Sequence, residues 1–178
     1  MPTQVNLEKE IKKMSDLPAN ASPAQRWAAF VREEGHEFGT TTGRPRDILH
    51  LDLEMMRFNC RMAGIEMLAG THLDIAREGE SIKVCTHYTG SDGRVVLYQP
   101  GLRYLKNVVP QYVELPGWDG DAVRRAKSFD EIPENAKKFL AFIQRRTGYP
   151  IVIATTGPDR SNYLDIPSFQ PKGTVYDF

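Results

Sequence analysis

The chain has 178 residues, of which 40% are hydrophobic and 26% are charged, and this composition predicts a single globular domain over residues 1–178. Its 23 basic and 23 acidic side chains cancel, so there is no net charge to favour nucleic acid or a membrane surface. Two cysteines predict neither a disulfide framework nor a zinc site, and no apolar run approaches membrane-spanning length, so we expect a cytoplasmic protein.

The first predicted helices lie near the start of the chain. One short helix is expected around Leu7 to Met14. Ser22 and Gln25 then match a capping box, and Pro23 occupies the first helical position, so a longer helix is predicted to begin here. Gly35 is expected to end this helix as a left-handed C-cap.

A further helix and the first strand are predicted after residue 51. Asp52 is the expected N-cap of a helix that runs to about Ala63 and ends at a left-handed Gly64. The apolar stretch from Ile65 to Asp74 predicts a buried strand.

A β-hairpin is predicted between residues 81 and 98. Polar and apolar side chains alternate from Ser81 to Tyr88, which is the period of a strand. The turn sequence Ser-Asp-Gly at residues 91–93 predicts a return strand from Arg94 to Tyr98. Residues 99–127 are rich in Pro, Gly and Tyr and are expected to be irregular.

The best-defined helix is predicted from Pro133 to Thr147, after a second capping box at Ser128 and Glu131. Its apolar stripe consists of Phe139, Leu140 and Ile143. A short apolar strand is predicted from Ile151 to Ala154.

Together these elements predict an α/β fold in which a mixed sheet has flanking helices. The sheet is expected to hold the strands near residues 65–73, 82–88, 94–98 and 151–155. The helix at residues 133–147 is expected to pack its apolar stripe on that sheet.

The segment from Gly39 to Arg46, here called the anion loop, is the most informative part of the chain. It combines three threonine hydroxyls with two glycines, which let the backbone approach a ligand closely. The planar guanidiniums of Arg44 and Arg46 fit a carboxylate or phosphate with two parallel hydrogen bonds. These residue types favour a small acidic ligand. The alternative is a polar surface turn with solvated arginines.

The anion loop and several later segments resemble the adenylosuccinate synthetase family. EFGTTTGRPRDI is similar to the family's aspartate-binding loop, and THLDI followed by IKVCTHY is similar to its Thr-Lys-Leu-Asp and Ile-Lys-Val-Cys segments. YVELPGW, SFDEIPENAKKFLAFI and TGYPIVIATTGPDR follow in the family's order, and MPTQV resembles its Phe-Pro-Thr-Glu segment. The resemblance covers only the C-terminal part of the family's length. Within this chain it excludes an unclear stretch near residues 5–30 and a tail of unclear role, residues 161–178.

The resemblance implies the C-terminal portion of a carbon–nitrogen ligase of purine nucleotide biosynthesis. Family members join inosine monophosphate (IMP) to L-aspartate with hydrolysis of GTP and with Mg²⁺. The γ-phosphoryl group first passes to the 6-oxygen of the base, and the amine of aspartate then displaces it. IMP, L-aspartate and GTP are therefore the implied ligands, and a homodimer of the complete enzyme is a further implied assembly.

The resemblance also implies binding residues. L-Aspartate is expected to contact Thr40, Thr41, Thr42, Gly43, Arg44, Pro45 and Arg46. Arg44 would also reach the IMP ribose, and Arg46 would approach GTP. GTP is expected to contact His72, Leu73, Asp74, Thr155, Thr156 and Gly157, with the guanine base at Asp74 and residues 155–157.

Asp74 has the chemistry for guanine, because one carboxylate accepts both N–H groups on the edge of that base. The alternative for Asp74 is a helix N-cap or a turn residue. The alternative for residues 155–157 is an ordinary exit from a strand.

Two departures from the family pattern affect the expected function. The chain lacks the family's Gly-Asp-Glu-Gly-Lys-Gly phosphate loop, its catalytic aspartate and histidine and its magnesium ligands. No catalytic or metal-binding residue is therefore assigned here, and the chain is expected to be inactive without a missing N-terminal half. His72 stands where the family usually has lysine, which leaves GTP or ATP open as the nucleotide.

Three alternatives therefore accompany the main hypothesis. A related viral branch makes a diaminopurine precursor from a deoxyguanylate and can use adenine nucleotides. A free-standing, non-catalytic module that binds a nucleotide or a dicarboxylate is the second alternative. The third is a truncated reading frame that folds poorly.

Overall fold

A computed structural model of the chain describes residues 1–167. The helices are α1 Pro23–Glu34, α2 Leu53–Ala63, α3 Leu102–Leu105, α4 Gly120–Arg125 and α5 Glu134–Thr147. The strands are β1 Leu51–Asp52, β2 Leu68–Gly70, β3 Ser81–Thr89, β4 Val95–Val96, β5 Val109–Pro116, β6 Ile151–Thr155 and β7 Tyr163–Asp165. Single 3-10 turns lie at Met14–Asp16 and Phe129–Glu131. Within residues 1–167, no helix combines the length and apolar character needed to cross a bilayer.

The strands divide between two sheets. In the first, β3 pairs in parallel with β1 and antiparallel with β4 and β5, so that Val84 lies opposite Leu51 on one side and Val113 on the other. In the second, β6 pairs in parallel with β2 and antiparallel with β7. The α/β class with mixed sheets and flanking helices is confirmed. The expectation that one sheet holds all the predicted strands is wrong.

The main apolar core joins the two sheets to helices α2 and α5. Val84 of β3 and Ala154 of β6 have no exposed surface. Leu140 and Ile143 of α5 are buried in the same cluster, and Phe139 is partly buried against it. The predicted apolar stripe of α5 is therefore confirmed. Burial of each large apolar side chain contributes roughly 1.5–3 kcal/mol to folding.

A smaller apolar cluster lies between the N-terminal segment and α1. Its members include Val5, Leu7, Ile11, Ala28, Ala29 and Ile48. The helix expected from Leu7 to Met14 is wrong, since only a 3-10 turn forms, at Met14–Asp16. The carbonyls of Glu8 and Ile11 accept hydrogen bonds from the Arg32 guanidinium. Arg32 therefore satisfies acceptors that helical N–H groups would otherwise occupy.

The local signals at helix ends explain several boundaries. Asp52 caps α2 by accepting a hydrogen bond from the Met55 N–H at 3.0 Å, and Gly64 ends that helix with a left-handed φ of 65°. Gly35 follows α1 as predicted but has a φ of −80°, so the expected left-handed C-cap is wrong. His36 takes the positive φ instead, at 49°. Glycine is favoured at position 35 for a steric reason, because a Cβ there would lie 2.6 Å from the carbonyl oxygen of Val31.

Two predicted segments differ from the structure. The strand expected over residues 65–74 is only Leu68–Gly70, because the chain leaves α2 through a hydrogen bond from the Ile65 N–H to the Cys60 carbonyl. Residues 99–127 are not irregular, since they contain α3, β5 and α4. The sequence does not predict β5, because Pro110 and Pro116 lie near its two ends and proline normally disfavours a strand. The tail of unclear role, residues 161–178, contains β7 in its described part, and residues 168–178 lie outside the described residues.

The two predicted capping boxes allow a matched test. Ser22 Oγ accepts from the Gln25 N–H at 3.2 Å, and Gln25 Oε1 accepts from the Ser22 N–H at 2.9 Å. Ser128 forms no such side-chain cap, and α5 begins later, so this second capping box is wrong. We expect Ser22→Ala to lower the free energy of unfolding by about 1 kcal/mol. Ser128→Ala should leave it nearly unchanged in urea denaturation, and equal losses in the two variants would contradict the assignment.

Candidate functional site

The anion loop is the turn of a small hairpin that follows α1. Phe38 and Pro45 pair as an isolated antiparallel bridge at its base. The Arg46 N–H donates to the Glu37 carbonyl at 2.9 Å beside that bridge. These contacts fix the backbone of Arg46 relative to the end of α1.

The tip of the anion loop is closed by its own backbone. The Gly39 N–H donates to the Arg44 carbonyl and the Gly43 N–H to the Gly39 carbonyl, both at 2.8 Å. Gly43 has a φ of 61°, a conformation that favours glycine. Residues 40–44 are all exposed. The threonine hydroxyls and the Arg44 guanidinium are therefore presented to solvent on a defined turn.

Arg32 holds the backbone of the anion loop at Arg46, a role that the sequence did not predict. Its side chain is buried in α1, where it donates to the carbonyls of Glu8 at 2.9 Å, Ile11 and Arg46 at 3.0 Å. Burial lowers the pKa of Arg32 below its usual value, and the Asp47 carboxylate partly opposes that change. Arg32 lies four residues after the fully buried Ala28 on the inner face of the helix, a placement that the sequence alone does not reveal.

The segment from Thr71 to Asp74, here called the base loop, leaves the second sheet after β2. His72 has a φ of 58°, and its N–H donates to Thr155 Oγ1 at 3.1 Å. The Leu73 carbonyl accepts from the Trp118 indole N–H at 2.8 Å. The base loop therefore lies beside Thr155, the first of the predicted binding residues at positions 155–157.

Asp74 is a buried carboxylate with a basic partner. Its side chain is only 7% exposed, and its Oδ2 accepts from Arg124 Nε at 3.1 Å. Arg124 also donates to Asp121 at 2.8 Å and lies 3.5 Å from a Glu34 oxygen. Burial lowers the pKa of Arg124, but its hydrogen bonds to Asp74 and Asp121 outweigh this and raise it above the usual value. Among the described residues Oδ1 of Asp74 has no hydrogen-bond donor, so it is available to a ligand.

Close backbone approach fixes the base loop in place. Gly120 lies directly against it, because a Cβ at that position would stand 2.2 Å from the Asp74 carbonyl oxygen. A larger residue at position 120 would therefore clash with the backbone of the base loop at Asp74. The sequence contained Trp118 and Arg124 but gave no indication of their contact with the base loop.

The loop after β6 completes this side of the site. Thr156 is buried, and its N–H donates to the Asn162 carbonyl at 2.9 Å. A Cβ at Gly157 would lie 2.8 Å from Asn162 Nδ2, so glycine allows the close turn. Thr155 contacts the base loop through its hydroxyl, as described above.

Glu37 connects the anion loop to the base loop. Its Oε2 accepts from Arg46 Nη1 at 2.9 Å, and its Oε1 lies 3.4 Å from His72 Nε2. The structure thus brings the two predicted groups of binding residues into one continuous surface. By contrast, Arg44 has no ion pair among the described residues, and its guanidinium is free to meet an anion.

Among residues 1–167, no group of three or more His, Cys, Asp or Glu side chains is placed to hold a metal ion.

Comparison with known proteins gives one consistent result. The family model described as adenylosuccinate synthetase matches residues 7–164. The adenylosuccinate synthetase of Symbiobacterium thermophilum is 46% identical over 138 residues, covering 75% of this chain and 32% of that protein. The protein of the same name from Lacticaseibacillus casei is 36% identical over 148 residues, covering 83% of this chain and 34% of its own length.

A solved structure agrees with these sequence matches. The fully ligated adenylosuccinate synthetase from Plasmodium falciparum is similar to this chain with a TM-score of 0.77 and 29% identity. The match covers 94% of this chain and 36% of the Plasmodium chain. The chain therefore spans about a third of the length of the relatives it matches.

Proposed function

This chain belongs to the adenylosuccinate synthetase family, and we propose that it supplies the part of such an enzyme that binds L-aspartate and the guanine base of GTP. The observation that carries the proposal is the joining of the anion loop and the base loop by Glu37. Through this contact, donors suited to a dicarboxylate lie next to a buried carboxylate suited to guanine.

The anion loop is assigned to L-aspartate. Two carboxylates in a site that also holds phosphates need fixed positive donors, and the loop offers Arg44 and Arg46 with three threonine hydroxyls. Arg44 is also assigned to the IMP ribose, as the resemblance of the anion loop to the family's loop implies, and this residue is exposed to solvent. Arg46 is held closer to the base loop and is assigned to L-aspartate and GTP.

The base loop and residues 155–157 are assigned to guanine. Asp74 accepts from the base, and Arg124 orients its carboxylate by donating to Oδ2. A carboxylate has about four acceptor positions, so the single bond to Arg124 leaves room for two donors from guanine.

We further propose that the complete enzyme makes adenylosuccinate from IMP and L-aspartate with hydrolysis of GTP and with Mg²⁺. This chain would provide substrate binding, while phosphoryl transfer and the metal ligands would come from the remaining part of the synthetase. The proposed homodimer also concerns the complete enzyme, and the cytoplasmic location stays a prediction. The names of the relatives do not favour the viral diaminopurine branch or a non-catalytic module.

Substitution of Arg46 tests the assignment of the anion loop. Arg46→Lys keeps the charge but loses the planar fork, which costs about 1.5–3 kcal/mol for a charge-assisted hydrogen bond. The dissociation constant of L-aspartate for the chain, measured by calorimetry, should therefore rise roughly 10- to 100-fold. Arg57→Lys is a matched control, because Arg57 pairs with Glu54 on α2 at 2.9 Å. An unchanged constant in Arg46→Lys would show that the loop assignment is wrong.

A further inference from the structure

Glu37 has a different partner on each carboxylate oxygen. One oxygen accepts from Arg46 of the anion loop, and the other faces the imidazole of His72 in the base loop. The Glu37 side chain is 18% exposed, whereas those of Arg46 and His72 are 56% and 54% exposed. A largely buried carboxylate thus lies between two side chains that both reach solvent.

The two partners belong to segments with independent supports. Arg46 is held through its backbone by Arg32 and by the Glu37 carbonyl. His72 is held through its N–H by Thr155, and it stands two residues before Asp74. The Glu37 side chain bridges these two segments directly, so the charge at one loop can affect the contact made at the other.

We propose that Glu37 is a positioning residue that couples binding of a dicarboxylate at the anion loop to binding of a nucleotide base at the base loop. This inference rests on the proposed function. When a ligand carboxylate neutralises Arg46, Glu37 loses its competing cation and interacts more strongly with His72. The stronger contact holds the base loop, and with it Asp74, in the conformation that receives the base. The same coupling applies in both directions, because a coupling free energy between two sites is reciprocal.

The experiment measures the dissociation constant of GTP for the 178-residue chain without L-aspartate and with saturating L-aspartate. In the unaltered chain, L-aspartate should tighten GTP binding about 5-fold or more. In Glu37→Gln, which keeps the shape but removes the charge, this factor should fall to about 1. The two ligands should still bind that variant separately, which a merely structural role for Glu37 would not explain.

Two further variants sharpen the test. His72→Asn removes the imidazole while retaining a residue that tolerates the positive φ, and it should also abolish the coupling. Asp47→Asn is the control, because Asp47 neighbours Arg46 but pairs with Lys9 at 3.7 Å, so the coupling should remain.

Two other results would separate a failure of the role of Glu37 from a failure of the proposed function. Equal coupling factors in the unaltered chain and in Glu37→Gln, or no coupling in the unaltered chain, would overturn the role of Glu37 while leaving the two binding sites intact. If neither GTP nor L-aspartate binds the chain, the proposed function itself fails and the inference fails with it.

Discussion

Mixing the 178-residue chain with the separately produced remaining part of a family member should convert two inactive proteins into a synthetase. Phosphoryl transfer depends on positioning and on electrostatic stabilisation of the γ-phosphate. The described residues supply two arginines at the anion loop and a carboxylate at the base loop, and the sequence contains no match to the family's Gly-Asp-Glu-Gly-Lys-Gly phosphate loop. We therefore expect adenylosuccinate formation from IMP, L-aspartate and GTP to be indistinguishable from the blank for this chain alone.

The measurement is a product assay with Mg²⁺, made on each part and on the mixture. A chain carrying both Arg44→Met and Arg46→Met is the control, because it keeps the fold away from the anion loop but removes both guanidiniums. The mixture containing that variant should stay near the blank. Turnover by the chain without its complement would contradict the proposal, because the residues needed for phosphoryl transfer would then lie within it.

Local sequence signals predicted α1, α2 and α5. The capping residues Ser22 and Asp52 and the left-handed Gly64 act within a few residues of the boundary they set, so their effect is present in the sequence itself. The failed prediction from Leu7 to Met14 has the opposite cause. Its carbonyls are bound by Arg32, which is more than twenty residues away and whose contact no local pattern contains.

The partition of the strands could not be predicted for the same reason. Whether β2 and β6 join β3 or form their own sheet depends on contacts between distant segments. The candidate site shows this limit most clearly. The anion loop and Asp74 have distinctive residue types, whereas Glu37 and Arg124 are ordinary charged residues that gain a role only from partners 35 and 50 positions away. The residue types that suggested a binding site were therefore visible in the sequence, but the contacts that join the two loops were not.

Asp74→Asn should change the base preference of the site more strongly than any other single substitution proposed. Guanine presents two adjacent N–H groups, and the amide retains only one acceptor for them. Loss of a buried charged acceptor costs about 1.5–3 kcal/mol, so the dissociation constant of GTP should rise roughly 10- to 100-fold. Xanthosine triphosphate has a carbonyl in place of the guanine amine, and the Asn amide can donate to it. GTP should bind more weakly and xanthosine triphosphate more tightly, so the ratio of their dissociation constants should change by more than either constant alone.

The control for this prediction is Asp121→Asn. Asp121 is the second carboxylate on Arg124, at 2.8 Å, but it is exposed and lies outside the base loop. Its loss should leave GTP binding nearly unchanged, which separates base recognition from a general weakening of the Arg124 network. An unchanged preference in Asp74→Asn would contradict the guanine assignment. A preference for ATP over GTP while Asp74 is intact would do the same, because adenine presents an acceptor where this carboxylate needs a donor, and it would favour the viral branch instead.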